Sequence, residues 1–379
     1  MIPTMRPGLY IHVPFCTSRC DYCAFATWSD RFDFLDEYVD AICAEIATRT
    51  RELGHSSFST VYLGGGTPSL LSPAQLERIL APVVAEAGEV TIEANPESLA
   101  ADPSVYREVG INRVSLGVQS LSDRELALLG RHHRAAEAEQ AIALLGQAGM
   151  RFSTDFIFGV GGGEPARMLE EVEGLVSKGG QPGHISAYGL IVEPGTPLSE
   201  HPELFPDEDA AVDFYLSLDR LLGRAGFECY EISNFARTGQ RSVHNWRYWM
   251  QGEYLGVGPS AHSFLSGVRS WNVRDSYRWG KALSARGEAA AGSETLTESQ
   301  LVFEGLSLAL RTSLGVPAAA LDLEAIPDGL YGLTEDGRAV LTVEGRLVHS
   351  AIALLLDEEA VSPDELRHHQ ALGSTADAA

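Results

Sequence analysis

From residue 9 to about 235 the chain alternates two kinds of segment. Short apolar runs of strand length are GLYIHVPF, STVYLGGG, EVTIEAN, NRVSLGVQS, MRFSTDFIFG and HISAYGLIV. Between them lie stretches with helical spacing. In Asp33–Leu53, Leu35, Val39, Ile42, Ile46 and Leu53 share one face. A second helix starts at SPAQLERIL, where Ser72 can cap, Pro73 suits the first turn and Gln75 completes a capping box. Shorter helices are predicted near Pro103–Val109, Asp123–Leu129 and Ala135–Ala148, and a longer one over EPARMLEEVEGLVSKG. About six β-α units in series predict a parallel sheet with helical crossovers. Periodicity alone leaves open a Rossmann-like sheet or a full or partial barrel. Gly64–Gly66, Glu93 and Gln119 fall at successive strand ends, where parallel α/β sheets place their sites.

Beyond a further helix over Asp207–Gly226, the pattern changes. FECYEISNFA leads into an aromatic-rich stretch, HNWRYWMQGEYLGVGPSAHSF, which reads as a connecting loop. A boundary is expected near 290–297, in EAAAGSETLTES. Past it, TESQLVFEGLSLALRTS is helical, and GLYGLTEDGRAVLTVEGRLVHSAIALLLDE reads as a small helical module turning at its glycines. The expected organisation is therefore a core over 1–235, a connecting region over 236–292, a helical domain over 293–370 and a disordered tail over 371–379.

Composition narrows the function. The chain has 379 residues, 45% of them hydrophobic, enough for a normal core. Its 52 acidic residues outweigh 28 basic ones, giving a net charge of −24. Such a surface repels phosphate backbones, so nucleic acid is not an expected partner. Loose docking on anionic lipid is disfavoured for the same reason, leaving at most transient membrane contact. MIPTMRPGLYIHV lacks the features of a signal peptide, and no run of 18 apolar residues predicts a transmembrane helix. The five cysteines, three of them clustered, do not form a secreted disulfide framework, and a cytoplasmic location is expected.

The clustered cysteines carry the clearest chemistry. Cys16, Cys20 and Cys23 form C-x3-C-x2-C directly after the first predicted strand. Thiolates select zinc or iron–sulfur, and structural zinc wants four protein ligands. Cys43 lies in a helix beside Ile42, which suits packing, and Cys229 lies far along the chain. Three thiolates on a [4Fe–4S] cluster leave one iron for an outside ligand. The amino and carboxylate groups of S-adenosylmethionine (SAM) can chelate that iron. Other residues are ambiguous on their own. Gly64–Gly66 form a strand-end turn, Tyr10 and Tyr22 could be core aromatics, and Arg131 could be a solvated helix-end charge. Asp155, inside the apolar run FSTDFIF, needs a partner if buried.

The cysteine spacing resembles that of the radical SAM superfamily. YIHVPFCTSRCDYCAF, YLGGGTPSLL, EANPESL, RVSLGVQSL and YEISNFA extend the likeness over roughly residues 8–357. They are similar to the branch containing oxygen-independent coproporphyrinogen III oxidases and HemW-type haem chaperones. The resemblance implies a partial (β/α)6 radical SAM barrel with a small C-terminal helical or winged-helix-like domain. It implies a [4Fe–4S] cluster on Cys16, Cys20 and Cys23. It also implies SAM contacts from Tyr10, Tyr22, Gly65, Gly66, Thr67, Glu93, Gln119, Arg131, Asp155 and His262. FGVGGGEP departs from the family's glycine-leucine-proline turn.

Two features point within the branch. The oxidases carry a further cysteine two residues after the third, where this chain has Phe25, and they have a longer segment than the fifteen residues that precede Cys16 here. HNWRYW matches the H-N-x-x-Y-W motif of HemW-type proteins. It makes His244, Asn245, Tyr248 and Trp249 candidates for a haem contact, with His244 as a possible axial ligand. The expectation is a chaperone that binds haem and delivers it to respiratory or haem-storage proteins. The alternative is an oxidase that decarboxylates coproporphyrinogen III. A SAM-dependent tRNA modifier conflicts with the charge.

Overall fold

The computed structural model describes residues 6–161, 163–177, 182–363 and 365–366. The expected disordered tail, 371–379, lies outside them. Six strands, β1 (Gly8–Val13), β2 (Thr60–Gly65), β3 (Glu89–Ala94), β4 (Arg113–Gln119), β5 (Arg151–Phe158) and β6 (His184–Gly189), pair in parallel and in chain order. Crossovers are made by α1 (Leu35–Leu53), α2 (Pro73–Leu80), α3 (Ser104–Glu108), α4 (Asp123–Leu128), α5 (Ala135–Gln147) and α6 (Pro165–Val176). The strictly sequential order rules out a doubly wound sheet, whose strand order reverses part-way. Strands β1 and β6 do not pair with each other, so the core is a partial (β/α)6 barrel.

The helix signals in the sequence act as local physics requires. Val39, Ile42 and Ile46 of α1 are buried, with Leu35 and Leu53 packed at the edge of the same core. The Ser72 hydroxyl accepts from the Gln75 N–H at 3.3 Å, and the Gln75 side chain accepts from the Ser72 N–H at 2.9 Å. One face of each strand is apolar and packs on the helices, as with Leu9, Ile11, Val61, Leu63, Val90, Ile92, Val114 and Leu116.

After α7 (Glu208–Arg224), the strands β7 (Glu228–Glu231) and β8 (Asn234–Ala236) form a hairpin that pairs antiparallel to β6 through β8. The stretch expected as a connecting loop is instead structured. It contains α8 (Val243–Trp249) and then β9 (Tyr254–Val257), which pairs in parallel with β1. Strands β10 (His262–Leu265) and β11 (Val268–Asn272), helix α9 (Ser276–Arg286) and strand β12 (Ala290–Thr295) follow, and the three strands extend the sheet antiparallel. The boundary expected near 290–297 thus contains an edge strand.

Helix α10 (Glu298–Leu310) opens the C-terminal part. The segment read there as a small helical module turning at its glycines also contains a hairpin. Strands β14 (Tyr331–Leu333) and β15 (Arg338–Leu341) form it, with β13 (Val316–Pro317) on the other side of β15. The turn is closed by Thr334 N–H donating to the Arg338 carbonyl at 2.9 Å, with Gly337 at φ +79°. A second core, built from Val302, Leu306, Leu310, Leu341 and Ile352, also includes Tyr230, Trp246 and Met250. The C-terminal part therefore packs on α8.

Candidate functional site

The second face of the barrel strands is polar and turns away from the helices. Tyr62, Thr91, Glu93, Arg113, Ser115, Ser153, Asp155, His184 and Ser186 occupy alternate positions along β2–β6 and line one cavity of about 420 Å³. Helix α8 sits at the N-terminal ends of these strands. The carboxylate of Glu89, first residue of β3, accepts from the N–H groups of His244 (2.9 Å) and Val243 (3.2 Å) at the helix start. The Ser242 hydroxyl caps the helix through the Asn245 N–H. Arg113 donates to the Gln240 carbonyl at 3.0 Å. Ser242 and Asn245 line the same cavity as the strand residues.

At the opposite, C-terminal end of β1, the cysteine loop is tied down at several points. The Cys16 N–H donates to the Trp28 carbonyl (2.8 Å), and the Leu198 N–H to the Asp21 carbonyl (2.9 Å). The Arg19 guanidinium donates to the Cys23 carbonyl at 2.9 and 3.1 Å, and Arg274 to that of Ala24 at 3.0 Å. Phe15 anchors the loop edge-on to Trp28 and Tyr38. Cys16, Cys20 and Cys23 all line the cavity. Thr67 donates to the Cys16 sulfur (3.6 Å) and Arg131 to the Cys20 sulfur (3.3 Å). Burial pushes the Cys16 thiol up to about 11, against the Thr67 hydrogen bond. Among the described residues, no three His, Cys, Asp or Glu side chains converge on a single metal ion. Three thiols with donors already directed at two of the sulfurs suit a sulfur-ligated cluster.

The glycine turn after β2 is shaped by contact with this loop. Gly66 donates to the Val13 carbonyl (2.8 Å), and Thr67 to that of Phe15 (2.7 Å). A Cβ on Gly66 would lie 2.6 Å from the Phe15 oxygen, and one on Gly65, at φ +112°, 2.4 Å from the His12 ring. Glu93 accepts from the Gly65 N–H (2.9 Å) and from Tyr62 (2.8 Å). Its burial pushes the carboxyl up to about 7, with those two hydrogen bonds opposing. Asp155 accepts from Ser115 (2.7 Å) and Ser186 (2.6 Å), the partners its apolar surroundings demanded, and burial still raises its pKa. Arg131 is no solvated charge, since it also donates to Asn95 (2.7 Å) and the Gly117 carbonyl (3.1 Å). Gln119 ends β4 at φ +65°, a strained conformation for a non-glycine residue.

Of the residues matched to SAM, Tyr22, Gly65, Gly66, Thr67, Glu93, Gln119, Arg131 and Asp155 meet in this cavity, and Tyr10 and His262 do not. Tyr10 is stacked behind Tyr62, with ring centroids 6.2 Å apart. Both Tyr10 and His262 line a second cavity, of about 710 Å³. Sequence reasoning missed Asn95, Arg113, Ser115 and Ser186. The signal available for most of them was the two-residue alternation of polar positions in otherwise apolar strands.

The HNWRYW segment needs the largest correction. His244, expected as a haem ligand, is fully buried. Its Nδ1 shares a hydrogen bond with Thr60 (2.9 Å) and its Nε2 with Tyr248 (2.8 Å), while its ring stacks on Tyr62 at 5.1 Å. Neither nitrogen is free to meet iron. Asn245 faces the cysteine cavity, whereas Tyr248 and Trp249 line the second one.

Residues 10–174 match the radical SAM superfamily model. The heme chaperone HemW of Mycobacterium tuberculosis (strain ATCC 25618 / H37Rv) is 36% identical, over 94% of this chain and 96% of its own. The mitochondrial radical S-adenosyl methionine domain-containing protein 1 of Bos taurus is also 36% identical, over 83% of this chain and 75% of its own. The solved structure of coproporphyrinogen III oxidase (HemN) from Escherichia coli superposes with a TM-score of 0.76 at 24% identity, covering 93% of this chain and 90% of that one. That last likeness concerns the fold, which both branches share. The sequence likeness instead runs nearly end to end through the barrel, the HNWRYW helix and the C-terminal part, and on that ground the chain belongs to the HemW family of the radical SAM superfamily.

Proposed function

We propose that the protein is a cytoplasmic haem chaperone. It holds a [4Fe–4S] cluster on Cys16, Cys20 and Cys23, binds SAM beside it, takes up haem and passes it to acceptor haemoproteins of respiration or haem storage. When bound, the reduced cluster and SAM supply an electron and a sulfonium, the source of carbon-radical chemistry. The protein's own residues position these groups. Thr67 and Arg131 direct donors at the sulfurs. Glu93 fixes the glycine turn through Gly65. Gln119, Asp155 and Tyr22 complete the polar wall on which SAM would lie.

The observation that carries a chaperone over an oxidase is Phe25. At the position where the resembled oxidases carry a further cysteine, this chain places a phenyl ring, 68% exposed at the lip of the cysteine cavity. It offers neither a thiol ligand nor a proton donor. The acidic surface argues against nucleic acid as a partner. No helix among the described residues is long and apolar enough to cross a membrane. The test is anaerobic incubation of reconstituted protein with SAM, a reductant and either coproporphyrinogen III or haem. Stoichiometric haem binding, transfer to an apo-haemoprotein and no decarboxylated product are expected. Conversion of coproporphyrinogen III would overturn the reading in favour of the oxidase.

A further inference from the structure

The second cavity lies between the cysteine loop, β10, the end of α8 and α10. Its volume of about 710 Å³ is within the range of small-molecule and cofactor sites. Phe25, Tyr248, Trp249 and Phe264 supply flat apolar walls. Among the described residues, the buried indole N–H of Trp249 has no hydrogen-bond partner.

Among the described residues two histidines reach this cavity, and their environments differ. Both ring nitrogens of His12 are engaged, Nδ1 with Tyr10 (3.0 Å) and Nε2 with the Ala26 carbonyl (2.9 Å), and the residue is 6% exposed. His262 is exposed, and among the described residues neither of its nitrogens has a hydrogen-bond partner. Its ring is held by stacking on Trp271, with centroids 6.0 Å apart. Partial burial, with Arg269 nearby, lowers its pKa and favours the neutral, iron-binding form. A cation also stands at the cavity. Arg274 donates to the Ala24 carbonyl at 3.0 Å and, among the described residues, pairs with no carboxylate.

We infer that this cavity is the haem site, with His262 as the axial ligand and Arg274 as the partner of one propionate. The inference rests on the chaperone reading and assigns its cargo to a place separate from the cysteine cavity. It also gives the HNWRYW helix a role that burial of His244 otherwise denies it. Tyr248 and Trp249 are walls of the haem site, and His244 positions Tyr248 from behind through the 2.8 Å hydrogen bond. An exposed imidazole on an open cavity suits cargo that must be released.

The experiment is titration of the full-length reconstituted protein with haemin, followed by Soret absorbance. His262→Ala is expected to shift the Soret band and weaken affinity about tenfold or more, while the iron–sulfur absorbance is retained. Added imidazole should restore the band position. Arg274→Glu should weaken affinity about tenfold through loss of a charge-assisted hydrogen bond, with the Soret position kept. If wild-type protein binds haem but both variants leave band and affinity unchanged, the site assignment is wrong and the chaperone reading stands. The assignment also falls if His244→Gln removes the Soret feature while His262→Ala preserves it. If wild-type protein binds no haem at all, both the assignment and the chaperone reading fail.

Discussion

Replacing His244 by glutamine separates a ligand from a structural residue without any haem present. In the wild type the imidazole bridges Thr60 and Tyr248 inside the barrel. Burial, with a smaller contribution from Arg247, lowers its pKa to about 3. The unfolded chain takes up the same proton near pH 6.5. Between these values the unfolded state binds more protons than the folded state, so this residue's contribution falls as the pH is lowered. It is fully present above pH 6.5. By pH 5 about 2 kcal/mol of it is gone, and the loss continues toward pH 3. At pH 7.5 the variant mismatches two buried hydroxyl partners, at a cost of about 2–4 kcal/mol. The assay is urea unfolding of both proteins at pH 7.5 and pH 5.0, followed by tryptophan fluorescence. The stability gap between them should narrow by about 2 kcal/mol at the lower pH. The buried His184 and His12, whose pKa values burial also lowers, titrate in both proteins and cancel in the difference. A gap that is unchanged or wider at pH 5.0 would mean that the imidazole is solvated or already charged when folded. It would return His244 to the list of candidate iron ligands.

Other outcomes follow from the cysteine cavity. Cys16→Ala, Cys20→Ala and Cys23→Ala should each abolish the reconstituted iron–sulfur absorbance. Cys43→Ala and Cys229→Ala should not, because Cys43 donates to the Arg78 carbonyl at 3.6 Å and Cys229 packs beside Tyr215, both away from the cavity. Gly66→Ala should cost about 1–3 kcal/mol by overpacking and lower iron incorporation, since its Cβ meets backbone oxygens of the cysteine loop. Gly174→Ala, in α6 with no atom of the described residues outside its chain neighbours and the helix's own nearby backbone within 4 Å of the added carbon, should instead stabilise by about 0.5–1 kcal/mol. Equal melting temperatures for these two variants would refute the steric argument. Glu93→Ala should retain the cluster but weaken the change that SAM makes in its EPR spectrum, because the Gly65 N–H and the Tyr62 hydroxyl lose their shared acceptor. A spectrum that responds to SAM at wild-type concentrations would remove Glu93 from the site.

The barrel was legible in the chain because its signals are local. A helix face such as Val39, Ile42 and Ile46, or a capping box such as Ser72 with Gln75, states its conformation within a few residues. So does a cysteine triplet next to a strand. What could not be read was long-range pairing. Strand β9 is only four residues long and earns its place by lying beside β1, more than 240 positions earlier in the chain. Its neighbours in sequence, rich in glycine and aromatic residues, look like loop. The same limit hid the β14–β15 hairpin, whose short strands sit between segments of helical spacing.

The HNWRYW segment shows most directly why a motif can be seen and still be misassigned. As a loop, its polar and aromatic residues would all be free to converge on one ligand. As a seven-residue helix they must diverge, because successive side chains turn by about 100°. His244 and Tyr248, four apart, share a face and bond to each other, with His244 innermost against Thr60 and Tyr62. Asn245, one step round, looks into the cysteine cavity. Trp246, a further step round, is buried in the core of the C-terminal part. Trp249 lies beside Tyr248 on the second cavity, with Arg311 over its ring at 4.5 Å. One short helix thus touches the proposed cofactor cavity, the proposed haem cavity and the C-terminal core at once. A residue type suited to iron is then weaker evidence than its azimuth. The histidine inside the motif points into packed barrel, whereas His262, exposed, stacked on Trp271 and without a hydrogen-bond partner on its ring nitrogens among the described residues, lies thirteen positions beyond the helix's end.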